Sequence, residues 1–181
     1  MQSILTQNYF ELFALPKQYV LQRDDLDARY RELQRMVHPD RYASASDQER
    51  RLSMQQATHI NEAYQVLKDP LRRGRYLLEL RGHAIDDQQA THQDPEFLMQ
   101  QIELREALAE VRRQDDPLQS LDRLAREIQA QYRALESKLG QALDAGEEIE
   151  QAVTLVLKMQ YFMRLQNEAQ ELEADLEDEL Y

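Results

Sequence analysis

The sequence predicts an all-α fold, and three observations support this prediction. Only 4 glycines and 5 prolines occur among 181 residues, so few positions favour turns. Apolar residues recur at steps of three and four along most of the chain, which is the period of an amphipathic helix. No run of alternating apolar and polar residues lies between turn signals, as a strand would require.

Local capping signals predict where the helices begin. In each of the pairs Asp69-Pro70, Asp94-Pro95 and Asp116-Pro117, the aspartate suits the N-cap position and the proline suits the first helical position. Ser46 and Glu49 have the spacing of a capping box. These signals predict a helix that opens at Ser46 and others that follow each Asp-Pro pair.

The second half of the chain is predicted to form three helices, at about 95–113, 117–143 and 147–177. Gly146 marks the last break between them. Three helices with short connections favour an antiparallel bundle. The acidic segment 171–179 is expected to be a solvated helix end that frays.

The tripeptide His38-Pro39-Asp40 lies between two amphipathic helices of the first half. The predicted apolar faces of these helices are Leu26, Tyr30, Leu33 and Val37 before the tripeptide, and Met54, Ala57, Ile60, Tyr64 and Leu67 after it. Helices joined by a short connection bury such faces by pairing antiparallel. Pro39 disfavours helical geometry at His38, so the first helix should end there. The sequence therefore predicts a helical hairpin with the tripeptide at its exposed tip.

Charge divides the chain into two parts. Residues 1–94 carry 13 Lys and Arg against 14 Asp and Glu, whereas residues 95–181 carry 9 against 20. Nearly all of the net charge of −12 therefore lies in the second part, which indicates two modules with different partners. We predict a first domain at 1–82, a polar linker at 83–94 and a C-terminal three-helix bundle at 95–181.

Composition argues against several classes of function. The chain has no cysteine, which rules out disulfides and thiolate chemistry, and its four histidines lack neighbours at convincing metal-ligand spacing. We therefore expect no metal, no cofactor and no catalytic residues. An acidic chain is a poor nucleic-acid binder. Neither a membrane span nor a signal peptide is predicted, so we expect a cytoplasmic protein.

The first helix of the second module has two distinct apolar faces. Its predicted core face is Phe97, Gln101, Leu104, Leu108 and Val111. Leu98, Met99 and Ile102 point about 100 to 200° away from Phe97, and they share that side with the carboxylates Glu103, Glu106 and Glu110. Such a patch is typical of a protein docking site. Alternatively, Leu98 and Ile102 only widen the buried stripe.

The first eighty residues resemble a J domain, the module that stimulates ATP hydrolysis by DnaK-class chaperones. The segments that carry the resemblance are 8–15, Tyr30-Arg31, the tripeptide, and 60–67 followed by Asp69-Pro70. The resemblance implies that Asp40 contacts the ATPase domain of the chaperone while His38 and Pro39 fix the loop.

The resemblance also implies a docking surface for the chaperone on the hairpin. Tyr30 belongs to this surface, and the basic residues that would meet an acidic partner are Arg29, Arg31, Arg35 and Arg41. Opposite charges on two proteins favour encounter and correct orientation. Composition alone favours a solvated helix face as the explanation of these arginines, and the adjacent tripeptide shifts the balance towards a docking surface.

The segment 94–110, with the J-domain exit at 75–82, resembles the HscB family of J-proteins in bacterial iron-sulfur assembly. In that family the C-terminal bundle binds the scaffold protein IscU and presents it to the chaperone HscA. The resemblance implies a scaffold site at Leu98, Met99, Ile102, Glu103, Glu106 and Glu110, with Tyr161 as the aromatic residue of the last helix.

The expected function is thus that of a non-enzymatic co-chaperone with HscA and IscU as partners. Two alternatives stay open at this point. A general J-domain co-chaperone for another client would share the first module, and a structural helical adaptor would make the tripeptide incidental.

Overall fold

The computed structural model describes residues 4–38, 46–86, 94–146 and 149–179. In these residues the chain is helical and contains no strand, as predicted. The α-helices are α1 Tyr9–Leu12, α2 Arg23–Val37, α3 Asp47–Lys68, α4 Pro70–Leu80, α5 Pro95–Glu110, α6 Pro117–Ala145 and α7 Ile149–Asp178. Single 3-10 turns occur at Ile4–Thr6 and Val111–Arg113. Two compact units are formed, Met1–Gly82 and His83–Tyr181.

The predicted capping signals are confirmed. The side chains of Asp69, Asp94 and Asp116 each accept a hydrogen bond from the backbone N–H three residues further on. Ser46 and Glu49 form the reciprocal bonds of a capping box. These bonds satisfy amide groups that have no partner inside a helix, so the helix starts are encoded locally.

In the first unit, α2 and α3 pack as a hairpin and bury one face of each helix. The buried residues of this hairpin are Leu26, Val37, Ser53, Ile60, Ala63 and Leu67. Phe10 and Phe13 near α1, and Leu77 and Leu78 of α4, complete the core. The first unit is therefore built on the paired helices that the sequence predicts.

The predicted burial of Met54 is wrong. Met54 is 64% exposed, whereas Ser53 beside it is 2% exposed. The buried stripe of α3 runs through Ser53, Ile60 and Leu67, which are seven residues apart. At about 100° per residue, Ser53, Ile60 and Leu67 project within about 40° of one another, whereas Met54 projects about 100° away from Ser53 and lies outside this face.

In the second unit, α6 and α7 form a long pair, and α5 packs beside them. Phe97, Leu104 and Val111 are buried, as the predicted core face requires. Gly146 ends α6 with a φ of +81°, a conformation that favours glycine.

The acidic end of α7 is more ordered than the sequence analysis expects. Leu176 is buried at 6% exposure, and α7 continues to Asp178. Arg112 forms an ion pair with Asp175 at 3.2 Å and a second one with Glu179. These contacts hold the end of α7 against the turn that follows α5.

Arg73 of α4 is a buried cation in the core of the first unit. Arg73 is only 9% exposed. Its Nη1 donates a hydrogen bond to the carbonyl oxygen of Leu67 at 2.7 Å. The guanidinium lies 4.7 Å from the ring centre of Tyr19. A cation near the C-terminus of α3 also interacts favourably with the helix dipole.

We expect Arg73→Ala to lower the free energy of unfolding by about 2 kcal/mol, because the hydrogen bond to Leu67 and the cation–π contact are both lost. Urea unfolding followed by circular dichroism measures this change. Arg72→Ala is the matched control, because Arg72 is exposed, and it should change the free energy by less than about 0.5 kcal/mol. Equal losses in the two variants would contradict the structural role of Arg73.

Candidate functional sites

Side-chain hydrogen bonds join α2 to α3 at the base and in the middle of the hairpin. At the base, the Tyr64 hydroxyl donates to Asp27 at 2.9 Å. In the middle, Asn61 Oδ1 accepts from the Tyr30 hydroxyl at 2.8 Å and from Gln34 Nε2 at 2.6 Å. The rings of Tyr30 and Tyr64 stack with centres 4.1 Å apart. These contacts fix the register of the two helices.

At the base of the hairpin, Asp27 and Tyr64 each affect the pKa of the other. Burial disfavours the charged form of Asp27, but hydrogen bonds from Tyr64 and Arg23 outweigh it and lower the pKa of Asp27. The pKa of Tyr64 is raised mainly by burial and, to a smaller extent, by the hydrogen bond to Asp27. Asp27 is therefore ionised and Tyr64 protonated at neutral pH, which preserves the bond between them.

A third bond joins the helices at the end where the tripeptide begins. The Ser53 hydroxyl of α3 donates to the carbonyl oxygen of Val37 at 2.7 Å. Val37 is the last residue of α2, and both residues are 2% exposed. Ser53 could not be predicted from the sequence, because a single serine in an amphipathic pattern gives no signal of its own.

The predicted chaperone-binding residues of α2 do not all share one face. Arg31 and Arg35 are exposed one turn apart, whereas Arg29 lies about 120 to 160° away around the helix. Arg29 forms an ion pair with Glu32 at 3.1 Å. Tyr30 is half-buried, between these arginines and the hairpin interior.

The tripeptide is only partly described. His38 is exposed and has the extended φ and ψ of −58° and 130°, as expected before a proline. Pro39, Asp40 and Arg41 lie outside the described residues, as do Glu147 and most of the predicted linker 83–94.

The α5 face, which comprises Leu98, Met99, Ile102, Glu103, Glu106 and Glu110, is exposed in the second unit. Leu98, Met99 and Ile102 are 44%, 57% and 43% exposed, so they do not widen the buried stripe. Among the described residues, Glu103 and Glu106 form no ion pair, while Glu110 pairs with Arg113 at 2.5 Å. At 100° per residue the six positions span about 140°, which makes them one continuous surface.

Tyr161 of α7 lies at the edge of the α5 face. Its hydroxyl donates to the carbonyl oxygen of Gln101 at 3.0 Å, and its ring meets Phe97 edge to face at 5.7 Å. Arg105 lies over the same ring at 5.9 Å and pairs with Glu168 at 3.3 Å. Burial raises the pKa of Tyr161. Since Arg105 projects within about 20° of Leu98, Tyr161 borders the exposed apolar side chains.

A groove of about 460 Å³ adjoins the opposite edge of this face. Met99 and Glu103 line it from α5, and Gln131, Leu135 and Lys138 line it from α6. The α6 residues could not be predicted from the sequence, because only packing brings them beside α5.

The start of α5 is fixed by Asp94. Its carboxylate caps the helix at the amide of Phe97 at 3.0 Å and accepts a bond from Lys158 Nζ at 2.5 Å. The pKa of Asp94 is lowered mainly by the hydrogen bond from Lys158 and, to a smaller extent, by the bond from the Phe97 amide. Lys158 Nζ also lies 4.8 Å from the ring centre of Phe97. These contacts tie α5 to α7.

The described segments contain no cluster of three or more side chains that could hold a metal ion. In the same segments, no helix is long and apolar enough to cross a membrane.

Family comparisons agree with this architecture. The family model described as "DnaJ domain" matches residues 8–76, and the one described as "HSCB C-terminal oligomerisation domain" matches residues 93–170. A J domain followed by this helical domain defines a J-domain co-chaperone, and the class implies a DnaK-class partner. The chain belongs to the HscB family of co-chaperones.

Individual relatives match over nearly the whole chain. The co-chaperone protein HscB homolog of Cupriavidus taiwanensis is 43% identical over 96% of this chain and 98% of its own, and that of Pseudoalteromonas atlantica is 39% identical over 94% and 99%. Among solved structures, chaperone HscB from Vibrio cholerae matches with a TM-score of 0.84 at 40% identity, over 94% of this chain and 99% of that one. Human co-chaperone protein HscB matches with a TM-score of 0.85 at 28% identity, over 93% and 83%.

We expect Asp94→Asn to lower the thermal midpoint at pH 7, because asparagine keeps the cap but loses the charge that binds Lys158. A carboxyl group with a lowered folded-state pKa stabilises the protein above its unfolded pKa of about 3.9, and this contribution disappears as the pH falls through the folded value. The difference from the parent chain should therefore shrink as the pH is lowered towards about 3.

Circular dichroism melts at several pH values measure this difference. Asp115→Asn, which changes an exposed aspartate in the same way, is the control and should melt like the parent chain. A difference between Asp94→Asn and the parent that stays constant with pH would contradict the ion pair.

Proposed function

We propose that this chain stimulates the ATPase of HscA, a DnaK-class chaperone, and delivers the iron-sulfur scaffold protein IscU to it. The first unit acts on the chaperone and the second unit carries the scaffold. Neither task requires the chain to catalyse a reaction itself. The proposal rests on membership of the HscB family and on two exposed surfaces, one in each unit.

The observation that carries the proposal is the exposure of Leu98, Met99 and Ile102 on α5. Exposed large apolar side chains that lie together favour binding of another protein, because their burial removes apolar surface from water. The exposed carboxylates Glu103 and Glu106 border them, and charges at the rim of an interface favour selection of a partner with the opposite charge.

Tyr161 contributes in a different way from the exposed side chains. Its hydroxyl is already bonded to α5, so it offers only part of its ring to the scaffold. We infer that Tyr161 supports the edge of the site and contacts the scaffold there. Glu110, which is paired with Arg113, contributes less charge than Glu103 or Glu106.

At the hairpin, Asp40 provides the carboxylate that engages the ATPase domain of the chaperone. His38 and Pro39 set the conformation of the chain around it, since a proline restricts both itself and the preceding residue. The remaining chaperone-binding residues of the proposal are Tyr30, Arg29, Arg31, Arg35 and Arg41. Arg31 and Arg35 supply positive charge on one face of α2, whereas Arg29 supplies it on another face and is paired with Glu32.

Linking the two binding sites in one chain is sufficient to couple them. A scaffold bound to α5 is held near the chaperone that is engaged by the hairpin, which raises its local concentration. The coupling requires no conformational signal through the chain.

We expect Asp40→Asn to abolish stimulation of HscA, because the substitution removes one negative charge at nearly constant shape. Stimulation is measured as the rate of ATP hydrolysis by HscA with increasing amounts of the chain. Calorimetric binding to IscU should be unchanged, because Asp40 belongs to the other unit.

Asp25→Asn is the matched control for Asp40→Asn, because Asp25 is an exposed aspartate of the same hairpin. It should stimulate HscA like the parent chain. Full stimulation by Asp40→Asn would remove the J-domain part of the proposal.

We expect the triple variant Leu98→Ala, Met99→Ala, Ile102→Ala to weaken IscU binding by about 100-fold or more, since central apolar contacts dominate the affinity of such interfaces. The parent chain should bind with a Kd in the micromolar range. Isothermal titration calorimetry with purified IscU measures both affinities.

A second triple variant provides the control for exposed apolar surface. Val20, Leu52 and Met54 are 56%, 44% and 64% exposed in the first unit, and their replacement by alanine should leave IscU binding unchanged. If the parent chain does not bind IscU, the client assignment is wrong. Equal losses in the two triple variants would instead contradict the assignment of the site to α5.

A further inference from the structure

The bond from Ser53 to Val37 fixes the place where the chain leaves α2. Ser53 Oγ lies 2.7 Å from the Val37 carbonyl oxygen, a normal distance for a strong hydroxyl hydrogen bond. The last carbonyls of a helix have no donor within the helix. Since Val37 is buried, its carbonyl needs a protein donor, and Ser53 supplies one.

This bond constrains the following residue directly. The carbonyl oxygen of Val37 shares a rigid peptide plane with the amide nitrogen and Cα of His38. His38 is the first residue of the tripeptide, and its φ and ψ take the chain out of the helix. Holding the Val37 oxygen therefore holds the plane from which the tripeptide departs.

The bonds that Asn61 and Tyr64 form with α2 lie too far from Val37 to do this. At 1.5 Å per residue along α3, Asn61 is about 12 Å and Tyr64 about 16 Å from Ser53. Their side-chain bonds are also less buried than that of Ser53. A hydrogen bond shielded from water is stronger and more rigid than an exposed one.

We propose that Ser53 is a positioning residue for the His38-Pro39-Asp40 motif. It does not touch the chaperone; it aligns the start of the motif relative to α3 through the Val37 carbonyl. This inference rests on the proposed stimulation of HscA and goes beyond it, because it assigns a role to a residue outside the chaperone-binding surface.

The test compares Ser53→Ala with Tyr64→Phe in the full chain. Each substitution removes one hydroxyl of α3 that donates to α2, so a purely structural role predicts similar behaviour for the two variants. Rates of ATP hydrolysis by HscA are measured with each variant, below the thermal midpoints of both. We expect maximal stimulation by Ser53→Ala to fall about fivefold, the factor given by one ordinary hydrogen bond, while Tyr64→Phe stays near the parent chain.

A second measurement tests the alignment without the chaperone. In nuclear magnetic resonance spectra, loss of a hydrogen bond moves the carbonyl carbon resonance of its acceptor upfield. We expect this shift at Val37 in Ser53→Ala, together with a change in the amide resonance of His38. Tyr64→Phe should leave both resonances unchanged.

The possible outcomes separate the two proposals. A parent chain that stimulates HscA, with equal stimulation by Ser53→Ala and Tyr64→Phe, would overturn the positioning role alone. Unchanged Val37 and His38 resonances in Ser53→Ala would also overturn it. A parent chain that fails to stimulate HscA would overturn the proposed function, and the positioning role with it.

Discussion

Phe97 is buried against Tyr161 and Phe162 of α7, and this contact sets the rotation of α5 about its axis. A helix can direct only one face into a core, so burial of Phe97, Leu104 and Val111 leaves the opposite face in solvent. Leu98, Met99 and Ile102 are exposed for this reason, although their side chains are as apolar as those in the core. The cap of Asp94 and its bond to Lys158 hold α5 at its first turn. The proposed scaffold site thus depends on how one helix is anchored.

In the first unit, polar contacts fix the position of α2 relative to α3. Leu26, Ile60 and Leu67 bury the facing sides of α2 and α3, but apolar contacts alone tolerate small shifts of one helix along another. Directional bonds at the base, middle and tip of the hairpin remove this freedom. A buried polar bond adds little net stability, so its value lies in selecting one register. For a motif that must meet another protein in a defined orientation, register matters more than stability.

The two units differ in charge. The acidic residues that dominate the second unit include Glu103 and Glu106, which have no ion-pair partner among the described residues, whereas the first unit is nearly neutral and carries exposed arginines on α2. Exposed charges influence which partner approaches and how quickly. This division is what the proposed function requires, since under it each unit binds a different protein.

The sequence by itself determined the helical fold and the starts of α3, α4, α5 and α6, and it indicated a second apolar face on α5 without deciding whether that face is exposed. Asp-Pro pairs, the Ser46 capping box and the apolar period act over a few residues, so their effects can be predicted without knowledge of the tertiary fold. Tertiary structure alone decided which of two adjacent residues on a helix is buried. It placed Ser53 in the core instead of Met54, Tyr161 at the edge of α5, and the side chains of α6 beside Met99. The physical reason is that these choices depend on contacts between residues distant in sequence, which fix helix rotation more finely than a period of 3.6 residues can.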